Sequence, residues 1–323
     1  KAFRTDAAMK ALARHADFNA PLSILDVGSN RGSFVRAFLD AAPNATMLAL
    51  EPDERVADSC KGLERTELVV SRIEDAAIES ERFDIIHSCH TVEHLAHPQD
   101  VLADHWRALK PGGLLVLDAP NIAFLDETDI IEEWFIDKHL YHFSARTLIR
   151  MVRAAGFDII EAPDAADRTN LLIVARKADK GVRAVDDDML EVAEAERLVA
   201  AYGVTRARNL LALTALAADI AQMAPKGVAM WGAGRLFDSL VTHGGFEPAM
   251  LSALIDKHLK KYVAERHGRT LEEPQALASA KPGVVIVMSR GFAQEIADEA
   301  KSLAPQAEIV FYSDLMACSR QAA

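Results

Sequence analysis

Cysteine is scarce in this chain, with three residues in 323. Cys60, Cys89 and Cys318 lie far apart and match no CxxC spacing, so they build neither a disulfide framework nor a structural zinc knuckle. There is no apolar run of about 18 residues, the length a membrane-spanning helix needs. The N-terminal stretch KAFRTDAAMKALARH also lacks the uninterrupted apolar segment of a signal peptide. The expected location is therefore the cytoplasm, with no membrane partner. No basic tract interrupts the net charge of -12, which opposes association with a polyanion and excludes nucleic acid as an expected partner. Tandem repeats and low-complexity tracts are absent as well.

What remains is a composition rich enough in apolar residues, at 50%, to fill more than one core. Short β-rich runs alternate with amphipathic helical stretches in the first half: SILDV (23–27), ATMLALE (45–51), TELVV (66–70), FDIIHS (83–88) and GLLVLDAP (113–120). This rhythm predicts a Rossmann-like α/β domain with a parallel sheet and helical crossovers. Between GFDIIEA (156–162) and TNLLIVARK (169–177) there is no room for a crossover helix, so these two should pair antiparallel at the sheet edge. From 181 to 224 the pattern is helical throughout and ends at Pro225-Lys226-Gly227. A second strand-helix rhythm follows with GVAMW, LSALID, GVVIVM and AEIVFY. The expected organisation is one domain over 1–180, then a helical connector and a smaller Rossmann-like domain over 181–323.

The first strand runs into Asp26-Val-Gly28-Ser29-Asn30-Arg-Gly32-Ser-Phe34, where glycines permit a tight turn and close approach of a ligand. Glu51, followed by Pro52, ends the second strand 25 positions after Asp26 and is placed to accept hydrogen bonds from ribose hydroxyls. A glycine turn with a distal acid can serve a dinucleotide, an adenosyl sulfonium, or only tight strand-helix packing. The turn reads GSNRG and not GxGxxG, which disfavours a diphosphate. After the third strand, Glu74 and Asp75 are placed to reach the exocyclic amine of an adenine.

The run FDIIHSCHTVEHLAHPQDVLADHWRALKPGGLLVLDAPN, with its Glu93-His94 pair and Leu-Lys-Pro-Gly-Gly113 turn, resembles class I S-adenosylmethionine-dependent methyltransferases over roughly residues 20 to 178. The resemblance implies a seven-stranded sheet whose last strand is antiparallel, with S-adenosylmethionine as cofactor. It also implies that Ser88, Cys89 and His90 line the methionine side of the donor, while Glu93 and His94 hold the loop. His90-Thr-Val-Glu-His94 fits the letters HxxEH of a zinc-protease class, but that motif needs both histidines on one helical face. His90 is predicted at the mouth of a strand, with the helix beginning after Pro98, so no metal is expected. His87 and His97 are expected to be structural or solvated.

Methyl transfer from a sulfonium needs alignment, exclusion of water and removal of a proton from a hydroxyl or carbon acid. The stretch over 121–144 is long, acidic and aromatic, a composition suited to a lid. Within it, Asp137-Lys-His139-Leu-Tyr-His142-Phe-Ser144 resembles the HEHLSYFS segment of sugar C-methyltransferases acting on nucleotide-linked deoxysugars. By that resemblance His139 is the general base, with His142 and Glu133 behind it. Lys138 and Ile136 stand where those enzymes carry glutamate and tyrosine, so oxygen and carbon both stay open as the accepting atom. The turn Gly232-Ala-Gly234, Asp256 and the KPG strand resemble the C-terminal domain of the same enzymes, which would bind the acceptor or wall the cleft. Their cysteine-rich zinc-binding N-terminal domain has no counterpart. The expected partner is a small acceptor, a sugar or nucleotide-linked sugar, and a homodimer stays open. Two rivals stand beside this reading: an NAD-dependent oxidoreductase using Gly232, Gly234 and Asp256, and a noncatalytic module that binds the adenosyl ligand.

Overall fold

The computed structural model describes residues 2–125, 135 and 138–322. Of the described residues, 2–125, 135 and 138–198 belong to one compact unit and 199–322 to the other, so a boundary falls inside one long helix.

In the first unit, the described residues form a seven-stranded sheet: β1 (Ser23–Val27), β2 (Thr46–Leu50), β3 (Thr66–Val69), β4 (Phe83–Cys89), β5 (Leu109–Pro120), β6 (Phe157–Glu161) and β7 (Asn170–Lys177), in the order β3-β2-β1-β4-β5-β7-β6. Strands β1 to β5 are parallel, whereas β7 runs antiparallel to both β5 and β6. The edge pair expected from the short PDAAD connection is thus present, with β7 inserted between β5 and β6. The helices are α1 (Ala2–Leu12), α2 (Ser33–Ala41), the short α3 (Glu54–Ala57), α4 (Pro98–Ala108), α5 (Ala145–Ala154) and α6 (Met189–Met223).

Alternation along the strands produces two cores. Leu25, Val27, Leu48, Leu50, Ile86 and Leu115 join one apolar cluster, while Ile24, Met47, Ala49, Ile85 and Leu114 join the other. Successive strand residues point to opposite faces, so near-continuous apolar runs are what a sheet covered on both sides requires. Pro98 starts α4, as expected, because its missing N–H coincides with an unpaired helix-start position. Ser144 caps α5 through a reciprocal pair with Thr147.

The second unit holds a four-stranded parallel sheet in the order β13-β12-β8-β9, with β8 (Val228–Trp231), β9 (Leu251–Ile255), β12 (Val284–Val287) and β13 (Glu308–Phe311). A small hairpin, β10 (Glu265–Arg266) and β11 (Arg269–Thr270), had no clear signal in the sequence. Helices α7 (Arg235–Thr242), α8 (Ala276–Ala280), α9 (Ala293–Leu303) and α10 (Tyr312–Ala322) complete it.

One buried ionisable group lies in α4, where His105 is 3% exposed. Burial pushes its pKa down to about 4, because the charged imidazolium would lose its hydration. The folded state therefore resists protonation, whereas the unfolded chain takes up the proton near pH 6.5. Stability is lost as pH falls from about 6.5 and the loss stops growing below about 4. Between pH 7 and pH 5 this group should cost about 2 kcal/mol. Denaturant unfolding of the wild type and His105→Leu at both pH values should show the variant losing less by that amount, and equal losses would refute the assignment.

Candidate functional site

The strand order reverses direction between β1 and β4, so the connections leaving the two strands depart to opposite sides and leave a crevice at their carboxyl ends. A cavity of about 720 Å³ lies there. Its wall includes Asp26, Gly28, Ser29, Asn30, Phe34, Glu51, Pro52, Cys89 and His90 from the sequence-predicted donor set. Arg4, Thr5, His87, Thr91, His94, Lys138 and Leu140 also border it.

The glycine turn carries three left-handed residues, Gly28, Asn30 at φ +50 and Gly32. Gly28 has φ +77 and a Cβ there would collide with the Thr91 hydroxyl; Gly32, at φ +70, is the N-cap of α2 and sits against Cys60 Sγ. Thr91 Oγ1 donates to Val27 O at 3.2 Å, which ties the segment after β4 to the end of β1. Glu51 is 7% exposed. It accepts from Asn30 N at 2.7 Å and Asp53 N at 3.0 Å, so one carboxylate bridges the glycine turn and the start of α3.

Asp26 is buried and its Oδ1 pairs with His87 Nδ1 at 2.7 Å, whereas Oδ2 has no hydrogen-bond partner among the described residues. The His87 ring stacks on Phe34, centroids 3.6 Å apart and 11° from parallel. His87 thus holds Asp26 and forms part of the wall, a role that sequence reasoning missed. Asp26 and His87 are direct partners across β1 and β4, a register that neither segment's sequence encodes.

Three predicted donor residues are placed elsewhere. Ser88 is buried, but the cavity wall is formed by its neighbours His87 and Cys89, which point to the opposite side of β4. Glu74 accepts from Ala96 N at 2.8 Å and pairs with Arg72, while Asp75 is exposed. Neither borders the cavity.

The segment after β4 forms no helix with His90 and His94 on one face. His90 takes φ +52, donates its amide to Asp118 O at 2.8 Å, and is followed by a single 3-10 turn over Val92–His94. The HxxEH protease geometry is therefore not formed. Glu93 is 1% exposed and burial pushes its pKa up to about 7. Its backbone carbonyl accepts from Leu140 N at 2.8 Å and Tyr141 N at 3.2 Å, and His94 Nδ1 meets Lys138 O at 2.5 Å. These contacts lay residues 138–141 along the turn and bring the His139 ring to 4.8 Å from that of His94. His139 itself does not border the cavity, although both its neighbours do. His142 is half-buried, 6.3 Å from His139 between ring centroids, and its pKa is lowered by burial. Glu133 and Ile136 lie outside the described residues.

A second cavity of about 530 Å³ shares Arg4 with the first. Its wall carries Asp118, Glu161, Asp164, Asp167 and Arg14. Asp118 ends up 4% exposed near the carboxyl end of β5, and burial raises its pKa to about 6. Arg4 Nε donates to Asn170 Oδ1 at 3.2 Å, and His90 Nε2 meets the same oxygen at 3.1 Å. Desolvation lowers His90 to about 4, so its imidazole is neutral at physiological pH.

The family profile described as a methyltransferase domain matches residues 1–162. No curated protein matches the chain. Among solved structures, a putative S-adenosylmethionine-dependent methyltransferase from Listeria monocytogenes is 18% identical, with TM-score 0.45, covering 55% of this chain and 100% of that one. An S-adenosylmethionine-dependent methyltransferase from Mesorhizobium loti is 18% identical, TM-score 0.44, covering 53% and 97%. The 1,6-didemethyltoxoflavin-N1-methyltransferase of Burkholderia thailandensis, solved with S-adenosylhomocysteine, is 21% identical, TM-score 0.42, covering 54% and 78%. With 162 of its 323 residues matched to one profile, the chain belongs to the family of methyltransferase domains.

Proposed function

We propose that this protein transfers the methyl group of S-adenosylmethionine to a small hydroxylated acceptor, a sugar or nucleotide-linked sugar. The observation that carries the reading is the pairing of an orphaned buried carboxylate oxygen, Asp26 Oδ2, with a glycine turn that excludes a Cβ, both on the wall of one cavity. An ammonium group is the partner such an oxygen lacks. Glu51, at the other side of the turn, is the residue for ribose hydroxyls, and the apolar face of Phe34 with Pro52 suits the rest of an adenosyl group. When bound, the donor supplies an electrophilic methyl on an already activated leaving group. This chain's residues then need only orient the acceptor, keep water out and remove a proton.

The carboxylates and arginines of the second cavity are hydrogen-bond partners for a ligand rich in hydroxyls, and Arg4 borders both cavities. In this reading the acceptor's proton leaves at the group formed by Glu93, His94 and His139. His139 acts as one member of three and not as an isolated base. In this reading the first domain binds the donor. The oxidoreductase rival has less support. In the second unit, Asp256 accepts the amides of Ala233, His258 and Leu259 at 2.8 to 3.0 Å, as Glu51 does at the first turn, so this turn by itself favours no ligand, whereas the methyltransferase profile matches residues 1–162.

Calorimetric titration with S-adenosylhomocysteine should give saturable binding, weakened about 10- to 100-fold by Glu51→Gln, since one or two charge-assisted hydrogen bonds are lost. Stabilisation by NADH with no response to S-adenosylhomocysteine would reverse the assignment. Assays with isotope-labelled donor and a panel of sugar nucleotides should show His139→Ala lowering kcat by about 100-fold or more while the affinity for S-adenosylhomocysteine is unchanged. An unaltered kcat would remove His139 from the reaction.

A further inference from the structure

Glu93 is the anomaly of the first unit. Beyond a contact with its own amide, neither carboxylate oxygen has a hydrogen-bond partner, although the residue is 1% exposed. A buried carboxylate left in that condition is costly unless a positive group meets it. No lysine or arginine does so by an ion pair among the described residues; His90 Nδ1 and His94 Nε2 each stand 3.6 Å from Oε1, beyond hydrogen-bond distance.

The hydrogen positions sharpen the problem. Lys138 O can only accept, so the 2.5 Å contact obliges His94 Nδ1 to carry the hydrogen. In the neutral ring, the Nε2 lone pair then faces Glu93. Asn170 Oδ1 can only accept, so His90 Nε2 donates to it and in the neutral ring the Nδ1 lone pair faces Glu93 as well. With Glu93 ionised, two imidazole lone pairs and a carboxylate oxygen converge without a hydrogen between them.

We infer that Glu93, His94 and His139 form a binding site for one divalent cation of the zinc class, at the edge of the donor cavity. Their ligand atoms lie within 4.8 Å of one another. Two ligands about 2.1 Å from zinc and about 109° apart are separated by about 3.4 Å. The 3.6 Å between Glu93 Oε1 and His94 Nε2 is close to that distance, and a pair at the 4.8 Å bound would have to close by about 1.4 Å. The hydrogen bond from His94 Nδ1 to a backbone carbonyl is the outer-shell support that fixes a metal-bound imidazole. Two histidines and one glutamate leave a coordination position open, as a catalytic site does and a structural one does not. The inference departs from the sequence-based expectation that no metal binds here. The HxxEH spacing alone forms no site; the third ligand comes from a segment 45 positions downstream of His94.

The inference deepens the proposed function. With a cation held by these three, the same group would act on the acceptor hydroxyl by lowering its pKa, and His139 would serve as a ligand in place of a direct base. No bond to the donor is required for the cation itself to bind, so the two readings can fail separately.

The test is calorimetry of the full chain, stripped with a chelator, titrated with zinc(II) and then with S-adenosylhomocysteine. One equivalent of zinc should bind, with affinity reduced at least 100-fold in Glu93→Gln and in His139→Ala, each verified as folded by circular dichroism. X-ray absorption on the loaded protein should show nitrogen and oxygen ligands only. No zinc binding, or binding unchanged in both variants, overturns the site. A sulfur ligand also overturns it and places the ion at Cys89, His90 and Asp118 instead. If Glu93→Gln does not fold, His139→Ala at the half-buried edge decides alone. Binding of S-adenosylhomocysteine to the stripped protein, read in the same experiment, reports on the donor site independently.

Discussion

The reversal of strand order between β1 and β4 is the constraint from which the site follows. Parallel strands deliver their carboxyl ends to one edge of the sheet, and chain connections that leave to opposite faces cannot close the gap between those two strands. Everything placed at the ends of β1, β2 and β4 therefore meets across a crevice. Asp26 and His87 are neighbours in register there, and Glu51 reaches across to the amide of Asn30. One carboxylate thereby joins the second strand to the turn after the first. That bond holds a left-handed backbone in place at a position where side chains could not pack.

Electrostatics then separates the carboxylates of this acidic protein into two kinds. Those on the surface are paired with arginine or lysine in exposed contacts of small energetic weight, such as Arg55 with Asp53 and Arg107 with Asp104. Glu93 and Asp118 are different: both are buried beside the cavities, both are pushed upward by desolvation, and both face histidine rather than lysine. Such groups are costly to keep in a core, and sites that move protons or hold cations are where they concentrate. Arg4, at the start of the chain, contributes the positive charge that borders both cavities.

The second unit repeats the local device of the first in its own sheet. Its glycine turn follows β8, and Asp256 accepts the amide of Ala233 as Glu51 accepts that of Asn30. The parallel explains why both halves carry a similar sequence signal. A turn of this kind needs an acid to hold its amides whether or not a ligand is bound, so the motif alone says little about function.

The sequence by itself determined the sheet, its antiparallel edge and many of the residues that border the crevice, because each depends on local patterns. Apolar strand runs, a connector too short for a helix, and glycines at left-handed positions are all legible one segment at a time. Glu51 and Asp26 were readable for the same reason: Asp26 is the penultimate residue of β1 and Glu51 directly follows β2, strands whose positions are set by topology. Tertiary structure alone decided the rest. His87 joined the cavity through its cross-strand register with Asp26, Ser88 was turned away by the strand's two-residue alternation, and Glu74 was drawn off to the amide of Ala96. His139 met Glu93 and His94 through backbone hydrogen bonds between segments more than 40 residues apart, and no spacing within either segment encodes that meeting. Strand and turn patterns are written by near neighbours in the chain; the surroundings of a buried charge are written by whatever folds against it.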